Sequence, residues 1–217
     1  MPSKFRLRYI FKPLVITIAK GLNKIKVTAN MATFMMLGFS VLAFISLIPF
    51  NNLILFGVFV FLTGLFDGVD GALARLTQTD SEFGGFFDST MDRISEFVIF
   101  LGLLLYYWDA YLWTLIDMKL IIFIAFTANI MISYSRARAE PIYKGDYDIG
   151  LMARSERLFY LFITSIIAFF IGSFDIFLFI YMWLVILTFL YRGIKIKAQI
   201  EKYQNEKNQE KDNTGMS

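Results

Sequence analysis

Four aspartates, Asp67, Asp70, Asp88 and Asp92, lie within the stretch DGVDGALARLTQTDSEFGGFFDSTMD at 67–92. Each pair borders a long run without charge, 53–66 before the first pair and 97–108 after the second. Carboxylates set against membrane-type helices cost roughly 2.5–3.5 kcal/mol each at a helix centre, so such residues are functional candidates by default. Spacings of three and four place each pair on one face of a helix, and a tight turn between the two helices brings the faces together. Two carboxylates about 4 Å apart repel by roughly 4 kcal/mol at an effective dielectric near 20. A cation must therefore sit among them, and one or two divalent ions, Mg²⁺ or Mn²⁺, suit oxygen donors that also meet phosphates.

Composition narrows the chemistry further. The 217-residue chain is 57% hydrophobic, with a mean hydropathy of +0.59, well above the apolar share of a soluble domain. This reads as an all-α integral membrane protein. The sequence has no cysteine and no histidine, which excludes disulfides, thiolate nucleophiles, Cys/His zinc sites and imidazole acid–base catalysis. What remains is carboxylate, guanidinium, ammonium and hydroxyl chemistry, or an oxygen-bound metal.

The elements that must position the acids follow from periodicity and charge. Six spans of about 20 residues, the length that crosses a ~30 Å hydrocarbon core, are expected near 30–49, 53–75, 83–108, 118–138, 155–173 and 175–194. Before them, 1–26 carries seven cations and no acid, with Leu7, Ile10, Phe11, Leu14, Ile18 and Leu22 at helical spacing. That pattern predicts an amphipathic helix lying in the headgroup plane of an anionic leaflet. A cleaved signal peptide is disfavoured, because the apolar run after it is long and lacks a small-residue cleavage pattern. Three domains result: 1–26 amphipathic, 27–197 the six-helix transmembrane domain, and 198–217 a polar tail expected to be largely disordered. Of the 21 lysines and arginines, all but Lys119 fall on one side of this topology. The positive-inside rule then places both termini, and all four aspartates, on the cytoplasmic face of the plasma membrane. No internal repeat is evident.

Gly71 and Ala74 continue the face of Asp67, and Gly84 precedes Asp88 by one turn. These small residues leave backbone open to a flat or bulky ligand, or serve helix packing. Arg75 offers a planar fork to phosphate. Written with gaps, the stretch is D-G-x-D-G-x-x-A-R, eight residues, then G-x-x-x-D-x-x-x-D. This pattern resembles the signature of the CDP-alcohol phosphatidyltransferase family, with all its fixed positions present. The resemblance implies a six-helix core, a homodimer, and a cytoplasmic site for divalent metal and a CDP-linked lipid. By position it implies Asp67, Asp70, Asp88 and Asp92 near the metal, as two ions, with Asp92 as the base. Gly71, Ala74, Arg75 and Gly84 would line the nucleotide, together with Asn30 and Thr33 at the start of the first span. Ser81 is a further nucleotide candidate, its other reading being a solvated loop serine. In this chemistry an acceptor hydroxyl attacks the lipid-linked phosphorus and CMP leaves.

A second constellation, of arginines, lies on the same face: SYSRARAE at 133–140, ARSER at 153–157, and Arg192. Arginines at three cytoplasmic helix ends can converge on a phosphomonoester, or simply obey the positive-inside rule. The motifs resemble the branch of the family that uses myo-inositol 1-phosphate, the phosphatidylinositol phosphate synthases and their archaeal counterparts. That resemblance implies Arg136, Arg154 or Arg157, and Arg192 as the acceptor-phosphate residues of a phospholipid-biosynthetic transferase. Two positions depart from the branch: Arg136 stands where lysine is frequent, and Ala153 where an acid often stands. The expected partners are a CDP-lipid, a phosphorylated polyol and membrane lipids, with no nucleic acid. Glycerol 3-phosphate is the alternative acceptor. A divalent-cation transporter is disfavoured because the third, fourth and fifth spans offer no continuing ladder of acids.

Overall fold

The computed structural model describes residues 7–142, 150 and 152–214. Residues 1–6, part of the expected amphipathic segment, and 143–149, in the loop before the fifth span, lie outside the described residues, as do 151 and 215–217. The described residues are predominantly helical. The elements are α1 (Leu7–Ile10), α2 (Lys12–Lys24), α3 (Ala29–Leu47), α4 (Leu53–Thr77), α5 (Glu82–Tyr106), β1 (Tyr111–Leu112), β2 (Ile116–Asp117), α6 (Met118–Ala139), α7 (Arg154–Ile171) and α8 (Phe174–Thr214).

Local chemistry sets these limits. The side chains of Thr28, Asn52, Ser81 and Asp117 each accept a hydrogen bond from a backbone N–H in the first turn of the helix that follows, satisfying donors that a helix start leaves orphaned. α4 stops at Gln78, which is left-handed, and α7 stops at Gly172 with φ of 80°, where a residue without Cβ carries no steric penalty. The antiparallel pair β1–β2 closes the turn between α5 and α6.

Packing places α3 against both α4 and α5, α7 against α4, and α6 against α8. The main core runs through Phe56, Val60, Leu103, Leu161, Tyr181 and Val185. Two glycines let α7 approach α4 closely: a Cβ on Gly57 would stand 3.1 Å from the Phe162 carbonyl oxygen, and one on Gly64 would stand 3.2 Å from Leu158 Cδ1.

Helices form over all six expected stretches. Four of the described helices, α3, α4, α6 and the Phe174–Glu206 part of α8, are long and apolar enough to cross a membrane. α5 and α7 are excluded from that set by the charges they carry: Asp88, Asp92, Arg93 and Glu96 on α5, Arg154, Glu156 and Arg157 on α7.

The structure adds to one expectation and corrects another. Part of the apolar stripe of the N-terminal helix packs on the bundle. Ile18, Ala19 and Leu22 pack on Val69 and Leu73 of α4, and Phe11 meets the rings of Phe61 and Phe159, while Ile10 and Leu14 stay exposed. The 198–217 tail is not irregular over its described length, since α8 continues to Thr214. Its lysines, glutamates and glutamines are strong helix formers, the i,i+4 pairs Lys197–Glu201 and Lys202–Glu206 lie on its surface, and Ile196 packs on Ala139 of α6.

Candidate active site

The acids meet where α3, α4 and α5 come together. Asp67 on α4 and Asp88 and Asp92 on α5 each offer a carboxylate oxygen within 4.8 Å of the others. Asp70, one turn beyond Asp67, is buried and stands slightly apart: its Oδ2 accepts from Thr33 Oγ1 of α3 at 2.9 Å, and its Oδ1 from the Gly71 N–H at 2.6 Å. Thr33, expected beside a nucleotide, therefore acts here as a donor that holds Asp70. Asn30, one turn earlier on α3, is exposed.

The remaining nucleotide candidates lie on the last turns of α4 and at the start of α5. The Arg75 guanidinium folds back over Gly71, so that a Cβ on that glycine would lie 3.3 Å from Arg75 Nη1. Ala74 is half-buried beside it. Ser81 spends its hydroxyl on the N–H of Gly84 at 3.0 Å as the cap of α5, which links these two candidates to each other.

A cation does sit among the carboxylates, and it is a protein side chain. Arg154, the first residue of α7, reaches across and pairs through Nη1 with both Asp67 and Asp92. Its Nη2 donates to the Asp92 carbonyl oxygen at 3.4 Å and touches Met36 Sδ at 3.7 Å. Arg93 adds a looser contact to Asp92 at 3.4 Å, with its own side chain about a third exposed. One buried guanidinium against four aspartates leaves the cluster strongly negative. Asp88 Oδ1 is buried with no hydrogen-bond partner among the described residues. A buried carboxylate oxygen without a donor carries a desolvation cost, and the three converging carboxylates of Asp67, Asp88 and Asp92 fit a hard divalent ion.

The other expected arginines separate in character. Arg136, at the end of α6, is half exposed and pairs with Glu140 at 2.7 Å. Arg192 of α8 is 3% exposed and donates to the Ile132 carbonyl oxygen at 3.1 Å. Arg157 is 1% exposed and pairs with Glu96 of α5 at 3.0 Å, the glutamate itself being 2% exposed. Glu96 corrects the reading of the spans: an acid does continue one turn beyond Asp92 on α5, but it has a buried arginine partner and does not line a path. No signal in the chain marks this partner, since Glu96 stands at the edge of the apolar run 97–108.

Acids and arginines share one cavity. It has a volume of about 740 Å³, and its lining brings together Asp67 and Asp92 with Arg75, Arg136, Arg154, Arg157 and Arg192. Tyr9 and Lys12 of the N-terminal helices, together with Ser89 and Arg93, also reach its wall; none of these four was singled out by spacing.

Comparison with known proteins agrees with this geometry. The chain is 34% identical over 205 residues to the archaetidylinositol phosphate synthase of Pyrococcus horikoshii, covering 93% of this chain and 99% of that one. It is 33% identical over 152 residues to the phosphatidylinositol phosphate synthase of Mycobacteroides abscessus, covering 70% and 67%. Its fold is similar to the crystal structure of Mycobacterium tuberculosis phosphatidylinositol phosphate synthase with CDP-DAG bound, with a TM-score of 0.71 and 27% identity over 85% of this chain and 94% of that one. The same enzyme in complex with manganese and citrate gives 0.72 at 26% identity, over 84% and 88%. The CDP-alcohol phosphatidyltransferase family itself matches residues 26–191. With two of its four signature acids, Asp67 and Asp92, lining one cavity and this extent of similarity, the chain belongs to the CDP-alcohol phosphatidyltransferase family.

Proposed function

We propose that the protein is a multi-pass membrane enzyme of phospholipid biosynthesis that transfers the lipid phosphate of a CDP-lipid to a hydroxyl of myo-inositol 1-phosphate. The observation that carries this reading is one cavity whose lining holds both a carboxylate set, here called the carboxylate wall, and an arginine set, the arginine wall. A diphosphate needs the first, through a metal, and a phosphomonoester needs the second. An acceptor without phosphate would have no use for Arg136 and Arg192.

The hydroxyl oxygen forms a new bond to the lipid-linked phosphorus, the bond from that phosphorus to the oxygen of CMP breaks, and CMP leaves with the electron pair. We assign Asp92 to the acceptor hydroxyl, which it orients and whose proton it takes. Asp67, Asp70, Asp88 and Asp92 would hold Mg²⁺ or Mn²⁺, two ions in the expected set. The bound metal supplies charge neutralisation at the diphosphate and at the departing phosphate. Arg75, with Gly71, Ala74 and Gly84, forms the rim for the cytidine diphosphate; Asn30 and Ser81 stand at its exposed edge, and Thr33 serves through Asp70. Arg136, Arg154 and Arg192 are assigned to the acceptor phosphate. We place Arg154 in this set ahead of Arg157, although both line the cavity, because Arg157 is paired with the buried Glu96.

The same reading gives α3 to α8 as six spans, the two charged helices α5 and α7 crossing with their charges turned inward, and both termini and the site on the cytoplasmic side. It also takes the functional form to be a homodimer. The deciding assay incubates purified protein with Mg²⁺ or Mn²⁺, a CDP-lipid bearing diacylglycerol or archaeol tails, and one acceptor at a time, and follows CMP. Release with inositol 1-phosphate is the expected result. Release with glycerol 3-phosphate alone would move the acceptor assignment, and release with neither would sink the reading.

A further inference from the structure

Asp92 and Glu96 are one turn apart on α5, and Arg154 and Arg157 are nearly one turn apart on α7, so each pair shares a helix face. The structure joins them as two rungs. The upper rung, Arg154 with Asp92 and Asp67, stands at the cavity. The lower rung, Arg157 with Glu96, is almost wholly buried, its side chains 1% and 3% exposed, with Arg157 also contributing to the cavity lining. Arg157 makes two contacts to Glu96 Oε1, from Nε at 3.2 Å and Nη2 at 3.0 Å, and its Nη1 donates to the Met152 carbonyl oxygen at 3.3 Å. Met152 immediately precedes Ala153, the N-cap of α7, which has no side-chain cap of its own. One guanidinium therefore ties α5 to the entry of α7, two residues before Arg154.

This tie matters because α7 packs chiefly on α4, and its reach to α5 is made by long side chains. Packing on α4 through Gly57 and Gly64 sets how close α7 comes. It does not set which side of its first turn faces α5. A rotation by one residue, about 100° in a helix, would carry Arg154 off the carboxylates. A buried, bidentate ion pair resists such a rotation because breaking it leaves a charge without a partner in the core.

We propose that the buried Glu96–Arg157 pair is a positioning device whose task is to hold Arg154 over Asp67 and Asp92, where that arginine competes with the divalent ion for the same carboxylates. This rests on the proposed function only for the identity of the metal; no acceptor enters it. Arg157 is thereby a positioning residue and not a ligand of the acceptor phosphate.

The test reads metal binding without turnover, as the Mn²⁺ concentration giving half-maximal thermal stabilisation of the full chain in detergent. Removing Arg154 (Arg154→Ala) frees the carboxylates and lowers that concentration by roughly tenfold, the usual scale for two ligands coupled through one site. The double variant Glu96→Gln/Arg157→Met removes both buried charges together and leaves none unpaired, and it shifts the midpoint in the same direction and by a similar factor. Arg157→Lys keeps the charge facing Glu96 but loses the fork that reaches Met152; it serves if the double variant does not fold, and its midpoint moves part of the way. A wild-type midpoint in the double variant or in Arg157→Lys, alongside a shifted Arg154→Ala, overturns the proposal, because Arg154 would then be held without the lower rung. An unshifted Arg154→Ala overturns it too. Failure of CMP release with inositol 1-phosphate in the wild type bears on the acceptor assignment and leaves these midpoints readable.

Discussion

The two walls of the cavity are built on opposite principles. The carboxylate wall comes from one short stretch, with Asp67, Asp88 and Asp92 on two consecutive helices and their oxygens within 4.8 Å. The arginine wall comes from the ends of three helices, with Arg136, Arg154 and Arg192 spread over more than fifty residues of chain. Like charges crowded on the first wall repel, and Arg154 offsets only part of that charge. The arginines of the second wall are each already satisfied: Arg136 by Glu140, Arg192 by the Ile132 carbonyl, and Arg154 by the first wall itself. One wall keeps negative charge for a ligand to neutralise; the other has to exchange an internal partner for its ligand.

The largest effect should come from the carboxylate wall. Asp88→Asn replaces the carboxylate whose Oδ1 is buried without a donor. Losing a charge that acts on the developing transition state costs about 10³-fold in turnover, and the same variant should lose its thermal stabilisation by Mn²⁺. A chelator should abolish activity in the wild type, and added Mn²⁺ should restore it. Asp92→Asn should stop CMP release while CDP-lipid binding, followed by thermal shift, persists; substantial turnover would remove Asp92 from its role at the hydroxyl.

A smaller, selective effect is expected across the cavity. Arg192→Gln removes a charged donor that is almost fully buried, and a charge-assisted contact of that kind accounts for roughly 10- to 100-fold. The loss should appear in the KM for inositol 1-phosphate and leave the KM for CDP-lipid near its starting value. Arg136→Ala should act in the same direction but by only about two- to fivefold, because its side chain is half exposed and screened by water. If Arg136→Ala and Arg192→Gln raised both KM values equally, the cavity would not be divided into donor and acceptor walls.

The division also explains what could be read from the chain. The expected spans 30–49 and 118–138 correspond to Ala29–Leu47 and Met118–Ala139, because long apolar runs ended by capping residues are local signals. The acid cluster was legible for a related reason, as spacing within a helix fixes which residues share a face. The partner of Asp67 and Asp92 was not. Arg154 is 87 residues from Asp67 in sequence, and Arg157 is 61 residues from Glu96. Such pairings depend on the rotational register of one helix against another, which no local pattern specifies. Glu96 stands at the edge of the apolar run 97–108 and outside the spacing of the four aspartates, so only its burial with Arg157 shows that it needs a partner.

The smallest expected effect marks where the arginine wall ends. α8 carries Arg192 at the cavity and then continues for some six turns to Thr214. Ile196 still contributes, packing on Ala139 at the end of α6 close to Arg136. Beyond Tyr203 the described side chains are mostly exposed, and the Lys202–Glu206 pair that spans this point is 79% and 57% exposed. Exposed i,i+4 pairs contribute only about 0.3–0.5 kcal/mol before salt screening, so truncation after Tyr203 should lower the thermal midpoint by no more than a degree or so, a small shift on the usual scale. Both KM values should stay at wild-type levels. Ile196→Asn provides the contrast: it puts a polar group into the α6–α8 contact, and should raise the acceptor KM by disturbing Arg136 and Arg192 together while leaving the Mn²⁺ midpoint unchanged. If truncation alone raised the acceptor KM, the second wall would extend into the polar helix, and the arginines at the three helix ends would not account for acceptor binding.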